Sequence, residues 1–142
     1  ELSGVTIDFE KIKYCFEELS SNHDAMLVEG AGGLLTPVAG DKCMADLALD
    51  LGLPAVIVTA NRLGTINHTL LTLRCAESMG IKVAGIILNN TEPPGGDLSR
   101  AHNRAAIERL SPAPLLFEAP FSSKNEAPFL LEEGLVSSLL RA

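Results

Sequence analysis

A chain of 142 residues is one domain or part of one. Its formal charge of −7 excludes a nucleic-acid partner, which needs clustered Lys and Arg. That charge leaves room for a nucleotide site built from backbone N–H groups and a few cations.

Taken in chain order, Asp8 to Leu19 is predicted helical. Phe9, Ile12, Phe16 and Leu19 fall three and four apart, on one face, and Asp8 or Thr6 can cap the start. Ala25 to Glu29 is a short apolar run bounded by glycines, which reads as a buried strand. Glu29 then stands at a strand tip, where ligands bind in an open α/β sheet. Gly30, Gly32 and Gly33 let the backbone turn and approach a ligand closely. Asp41 and Lys42 are placed in a turn. Cys43 to Leu51 reads as a helix closed by Gly52, with Asp46 and Asp50 on a solvated face.

Ala55 to Thr59 is a second buried strand, preceded by Pro54. Thr65 to Met79 is a helix ended by Gly80. Val83 to Leu88 is a third strand, ending at Asn89-Asn90. Pro93-Pro94-Gly95-Gly96 is a rigid turn. Asp97 to Leu110 is a helix capped by Asp97 or by the residues just before it. A short strand at Leu115-Leu116 ends near Pro120, and Phe129 to Leu140 is a closing helix. Alternating helices and apolar strands predict an α/β fold with a doubly wound, mostly parallel sheet and helices on both faces. With 46% hydrophobic residues, 4% aromatic residues and no Trp, the core is aliphatic.

Cys15, Cys43 and Cys75 show no metal-ligand spacing and read as buried or partly buried thiols in a reducing cytoplasm. No signal peptide opens the chain and no apolar run reaches membrane-spanning length, so a cytoplasmic protein without a membrane partner is expected. His68 reads as a buried or interface histidine, and His23 and His102 as surface residues. The strand ends carry ligand-type residues, namely Glu29, then Thr59 and Asn61, then Asn89, then Pro120. Yet no GxxxxGK[ST] phosphate loop occurs. The expectation is a single α/β domain over 1–142 that forms the later two-thirds of a nucleotide-binding domain, with its phosphate-loop half upstream.

Three segments carry a family resemblance. They are Val28-Glu29-Gly30-Ala31-Gly32-Gly33-Leu34-Leu35-Thr36-Pro37, Leu63-Gly64-Thr65-Ile66-Asn67-His68-Thr69-Leu70-Leu71-Thr72, and Ala84-Gly85-Ile86-Ile87-Leu88-Asn89-Asn90 with Pro93-Pro94-Gly95. In that order the chain resembles the carboxyl-terminal part of the dethiobiotin synthetase family, which has a P-loop NTPase-like fold. The resemblance implies a Mg2+- and ATP-dependent cyclo-ligase of biotin biosynthesis. Such an enzyme closes the cyclic urea of dethiobiotin from 7,8-diaminononanoate and CO2, through a carbamate that attacks the γ-phosphate of ATP.

Residue by residue, the resemblance makes Glu29 the Mg2+-coordinating carboxylate and Glu29, Gly30, Ala31 and Gly32 the nucleotide-contacting segment. It makes Asn89 the adenine-reading amide, with Asn90 beside it, and places Pro120, Phe121 and Ser122 along the adenine pocket. Leu63, Gly64, Thr65, Ile66 and Asn67 match the segment that binds the substrate carboxylate across a homodimer interface. The family's phosphate loop has no counterpart in these 142 residues, so this chain alone is expected to be inactive. The alternatives are a cobyrinate-type amidoligase domain and a non-catalytic dimerising remnant.

Overall fold

The computed structural model describes Gly4 and residues 6–123. Helix α1 spans Phe9–Ser20. Asp8 caps it, one carboxylate oxygen accepting from the N–H groups of Glu10 and Lys11 at 3.0 and 3.3 Å. Two donors that a helix start leaves free are thereby satisfied. Phe9, Ile12 and Phe16 are only half-buried and Leu19 is exposed. The apolar stripe of α1 therefore lies against the outside of the domain.

The strand expected over 25–29 does not form. This segment has no regular secondary structure, Leu27 is 92% exposed, and Glu29 is exposed as well. A strand exists through hydrogen bonds to a neighbour, and no described strand pairs with this one. The nearby sheet is a small antiparallel hairpin, β1 (Pro37–Ala39) with β2 (Lys42–Cys43). Asp41 does lie in its turn, whereas Lys42 belongs to β2.

Helix α2 follows at once, Met44–Leu51. Both the N–H and the thiol of Cys43 donate to one Asp46 oxygen, at 2.7 and 3.1 Å. Asp46 is half-buried by this bond and not solvated as expected. Lys42 bridges to Asp50 at 3.0 Å and lies 4.7 Å from the centre of the Phe9 ring, which ties α1 to α2.

The main sheet is parallel, in the order β3 (Ala55–Ala60), β4 (Val83–Asn89), β5 (Leu115–Ala119). Helix α3 (Thr65–Met79) links β3 to β4, and α4 (Arg100–Leu110) links β4 to β5. Both pack on one face around Leu73, Ile86, Leu88 and Ile107, with Ile57, Leu70 and Leu115 at the margin. A smaller cluster of Ala45, Ala76 and Ile81 joins α2 to the end of α3. Val56, Val58, Gly85 and Ile87 alternate onto the opposite face. There Gly85 makes room for the Leu116 side chain from β5. The helix expected over 129–140 lies outside the described residues.

Candidate nucleotide and anion site

The parallel register sets Ala60, Asn89 and Ala119 side by side at the carboxyl ends of the three strands. Pairing continues past the strands, since Asn61 N–H donates to Asn89 O at 2.7 Å and Asn90 N–H to Ala119 O at 3.0 Å. Three strand ends thus form one continuous edge, the place where open α/β sheets bind ligands. Asn89 is half-buried there, and its carboxamide has no hydrogen bond among the described residues. Such an amide can donate to and accept from a purine edge. Pro120, Phe121 and Ser122 follow β5 beside it. Pro120 and Ser122 are exposed and Phe121 is half-buried.

Asn90 is placed differently. Its amide donates to Glu118 Oε1 at 3.1 Å and to Ala119 O at 2.9 Å. Its carbonyl oxygen accepts from Asn61 Nδ2 at 2.9 Å and Arg100 Nη2 at 3.0 Å. Behind it, buried Asn103 on α4 donates to Asn61 Oδ1 at 2.9 Å and to Arg62 O at 3.2 Å. Sequence reading picks out Asn61 as a strand-end residue but misses Asn103 and Arg100. For Asn103 a signal existed, because it stands four residues before buried Ile107 on the inward face of α4. Arg100 gives no signal in the sequence.

At the start of α3, Gly64 is the N-cap with φ of 89°. Thr65 is buried, and its hydroxyl meets that of Thr59 at 2.8 Å, with the Thr69 hydroxyl donating to Thr59 at 3.1 Å. This cluster of hydroxyls fixes the first turn of α3 against the end of β3. Thr65 N–H is held by Arg62 O, and Leu63 N–H by Asp97 at 2.6 Å. Among the described residues, the N–H groups of Ile66 and Asn67 have no acceptor, and Asn67 is exposed. They are the donors of this helix start that remain open to an anion. His68 is exposed, so of the two expected placements, buried or at an interface, the buried one does not hold.

Asp97 does not cap α4 directly. The N-cap is Ser99, whose N–H and hydroxyl both donate to Asp97, at 2.9 and 2.6 Å. These bonds, then the Leu63 N–H and the charge of Arg100, hold the Asp97 carboxyl below the usual carboxylate range. Asp97 thereby joins the loop after β4 to the loop after β3.

The glycine-rich segment is anchored to α2. Leu34 O accepts from Ala45 N–H at 2.8 Å and Thr36 O from Met44 N–H at 3.0 Å. Gly33 N–H donates to Thr36 Oγ1 at 2.8 Å. Glu29 makes no hydrogen bond or ion pair among the described residues, nor does a hydrogen bond join residues 29–32 to the ends of β4 and β5. No three His, Cys, Asp or Glu residues among the described residues cluster at metal-binding distance. Glu29 is a single exposed carboxylate, the type of oxygen donor that a hard cation such as Mg2+ takes together with phosphate and water oxygens. No helix among the described residues is long and apolar enough to cross a membrane.

The chain's similarity to known proteins agrees with this layout. The family described as AAA domain matches residues 1–128. A curated relative from Thermodesulfovibrio yellowstonii, named ATP-dependent dethiobiotin synthetase BioD, is 38% identical over 127 residues, covering 84% of this chain and 53% of the relative. Proteins of the same name from Anaeromyxobacter dehalogenans and Bacillus subtilis are 44% and 40% identical, over 78% and 84% of this chain and 49% and 52% of their own. The resemblance carried by the three segments is thus a likeness to dethiobiotin synthetases, and the chain spans about half the length of the relatives it matches. The parallel α/β sheet and the family match lead to one conclusion: this chain belongs to the AAA domain family and has its P-loop NTPase-like fold.

Proposed function

We propose that this chain is the later part of an ATP-dependent dethiobiotin synthetase, a cyclo-ligase that acts on 7,8-diaminononanoate and CO2. The observation that carries the reading is the Asn89 carboxamide. It is free to hydrogen-bond and half-buried at the carboxyl end of β4, in a chain similar to ATP-dependent enzymes of that name.

In the reaction, one substrate amine takes up CO2 and loses a proton to become a carbamate. A carbamate oxygen attacks the γ-phosphorus of ATP and displaces ADP. The second amine then attacks the carbamate carbon and expels phosphate, which closes the cyclic urea. Catalysis of such transfers rests on positioning and charge neutralisation. Asn89 reads the adenine edge, and Pro120, Phe121 and Ser122 line its pocket. Gly30, Ala31 and Gly32 bring the backbone close to the phosphates. Glu29 holds Mg2+, which neutralises phosphate charge when bound. Leu63 to Asn67 receive the substrate carboxylate from the second subunit of a homodimer, with the Ile66 and Asn67 N–H groups as the donors. The 142-residue chain has no GxxxxGK[ST] loop and alone is inactive.

The test is product formation by the complete protein supplied with ATP, Mg2+, bicarbonate and 7,8-diaminononanoate. Dethiobiotin and phosphate in equal amounts are expected, with turnover abolished in Glu29→Gln at unchanged Tm. Absence of product from the folded complete protein, or normal turnover by Glu29→Gln, refutes the reading or the metal assignment respectively.

A further inference from the structure

Asn90 has no hydrogen-bonding capacity left for a ligand. A carboxamide has two N–H donors and an oxygen with two lone pairs. Here the donors go to Glu118 Oε1 and Ala119 O, and the oxygen accepts from Asn61 and Arg100. Arg100 does more than meet Asn90. It also donates to Glu92 O at 2.9 Å and Pro93 O at 2.8 Å, so one guanidinium holds the loop after β4 against the start of α4. One turn later Arg104 reaches Glu118 Oε2 at 3.3 Å, which ties β5 to the same helix. The residues next to this lattice are Asn89, immediately before Asn90, and Pro120, immediately after Ala119.

We infer that Asn90 and Arg100 form a latch that sets base discrimination at the nucleotide site, fixing the distance between Asn89 and Pro120 without touching the base. The inference rests on the nucleotide reading above. It makes Asn90 and Arg100 positioning residues and leaves Asn89 as the group that contacts the base. Loss of the latch frees the β4 end and the loop from α4, and the Asn89 amide then loses its fixed aim. ATP suffers from this because its base is read by directed hydrogen bonds. A nucleotide held mainly by its phosphates suffers less.

The experiment uses the complete protein with ATP and CTP as probes, by titration calorimetry, for the wild type, Arg100→Met and Arg100→Lys. The wild type prefers ATP. In Arg100→Met that preference falls about tenfold, the scale of one lost hydrogen bond from a charged group. Arg100→Lys, which can still reach one carbonyl, is intermediate. A merely structural role lowers Tm and weakens both nucleotides equally, and that result overturns the latch. A second measurement needs no variant. On adding ATP to the wild type, the side-chain amide resonances of Asn89 shift and those of Asn90 stay in place. Movement of the Asn90 amide as large as that of Asn89 overturns the inference. If the wild type binds neither nucleotide, the nucleotide reading falls and the latch with it. If it prefers ATP and Arg100→Met keeps that preference, only the latch falls.

Discussion

Asn103 Nδ2 donates to Asn61 Oδ1 at 2.9 Å, and the two side chains are 2% and 4% exposed. Asn103 lies in the first turn of α4, which links β4 to β5, and Asn61 lies just past β3, on the other side of β4 in the sheet. The bond therefore fastens α4 to the far side of the strand ends. Buried polar groups in cores are nearly always paired, and here Asn103 Nδ2 also reaches Arg62 O at 3.2 Å while Asn61 Nδ2 reaches Asn90 Oδ1 at 2.9 Å.

Asn103→Ala leaves Asn61 Oδ1 without its buried donor. The expected loss is about 1–3 kcal/mol of unfolding free energy, read from urea denaturation. Asn61→Ala together with Asn103→Ala costs less than the sum of the two single changes, because the second removes a group already orphaned. Strict additivity would show that the pair is not coupled.

Much of this fold was legible in the sequence because its elements carry local signals. The bounds predicted for the helix over 65–79 are those observed, since Gly64 and Gly80 both take left-handed conformations that end helical geometry. Asp8 was readable as a cap for the same reason, its carboxylate lying two and three residues from the donors it satisfies. The strand over 25–29 was misread because apolar composition cannot say whether a neighbouring strand is present to pair with it. The lattice around Asn90 was invisible for a related reason. Its partners lie 10 to 29 positions away, and only the parallel register and the placement of α4 bring them together.

Gly85 is a packing position, not a flexible one. A Cβ at this residue would land within the Leu116 side chain of the adjacent strand. Gly85→Ala is expected to destabilise by about 1–3 kcal/mol, the usual cost of overpacking. Leu116→Ala in the same chain recovers part of that loss, although it is destabilising alone. Calorimetric Tm values for the two single variants and the double variant give the coupling. Gly85→Ala with wild-type stability would mean that Leu116 moves aside freely.

Asp97 makes stability depend on pH in a definite direction. Its folded-state pKa is lowered, first by the Ser99 hydroxyl and N–H and then by the Leu63 N–H and Arg100. A lowered pKa means that the folded state favours the ionised form. The contribution is complete above the ordinary aspartate value of about 3.9 and is lost as pH falls through the lower folded value. Asp97→Asn keeps the shape but not the charge. The Tm gap between wild type and Asp97→Asn is therefore wide at neutral pH and closes under strong acid. A gap that stays constant down the same titration would remove the ionised carboxylate from the account.

The glycine-rich segment divides into positions that need glycine and positions that do not. Gly32 has φ of 76°, and a Cβ there would meet Thr36 Oγ1. Gly33 has ordinary backbone geometry and nothing within 4 Å of where its Cβ would stand. The Thr36 hydroxyl is also the acceptor for the Gly33 N–H, so a side chain at Gly32 strikes the atom that closes the turn. Two penalties then combine in Gly32→Ala. The left-handed backbone costs an L-residue about 1–2 kcal/mol, and displacing Thr36 removes a hydrogen bond worth about 1 kcal/mol. Thr36→Ala carries only the second penalty, and Gly33→Ala carries neither. The expected order of damage is Gly32→Ala, then Thr36→Ala, with Gly33→Ala close to wild type. Hydrogen exchange of the Gly33 amide reads the turn directly. Protection is lost in Gly32→Ala and Thr36→Ala and kept in Gly33→Ala. Because this segment is exposed and held mainly through Leu34 and Thr36 to α2, the change stays local. It shows more strongly in nucleotide affinity of the complete protein than in Tm. Equal damage from Gly32→Ala and Gly33→Ala would mean that backbone shape at this turn is not set by Thr36.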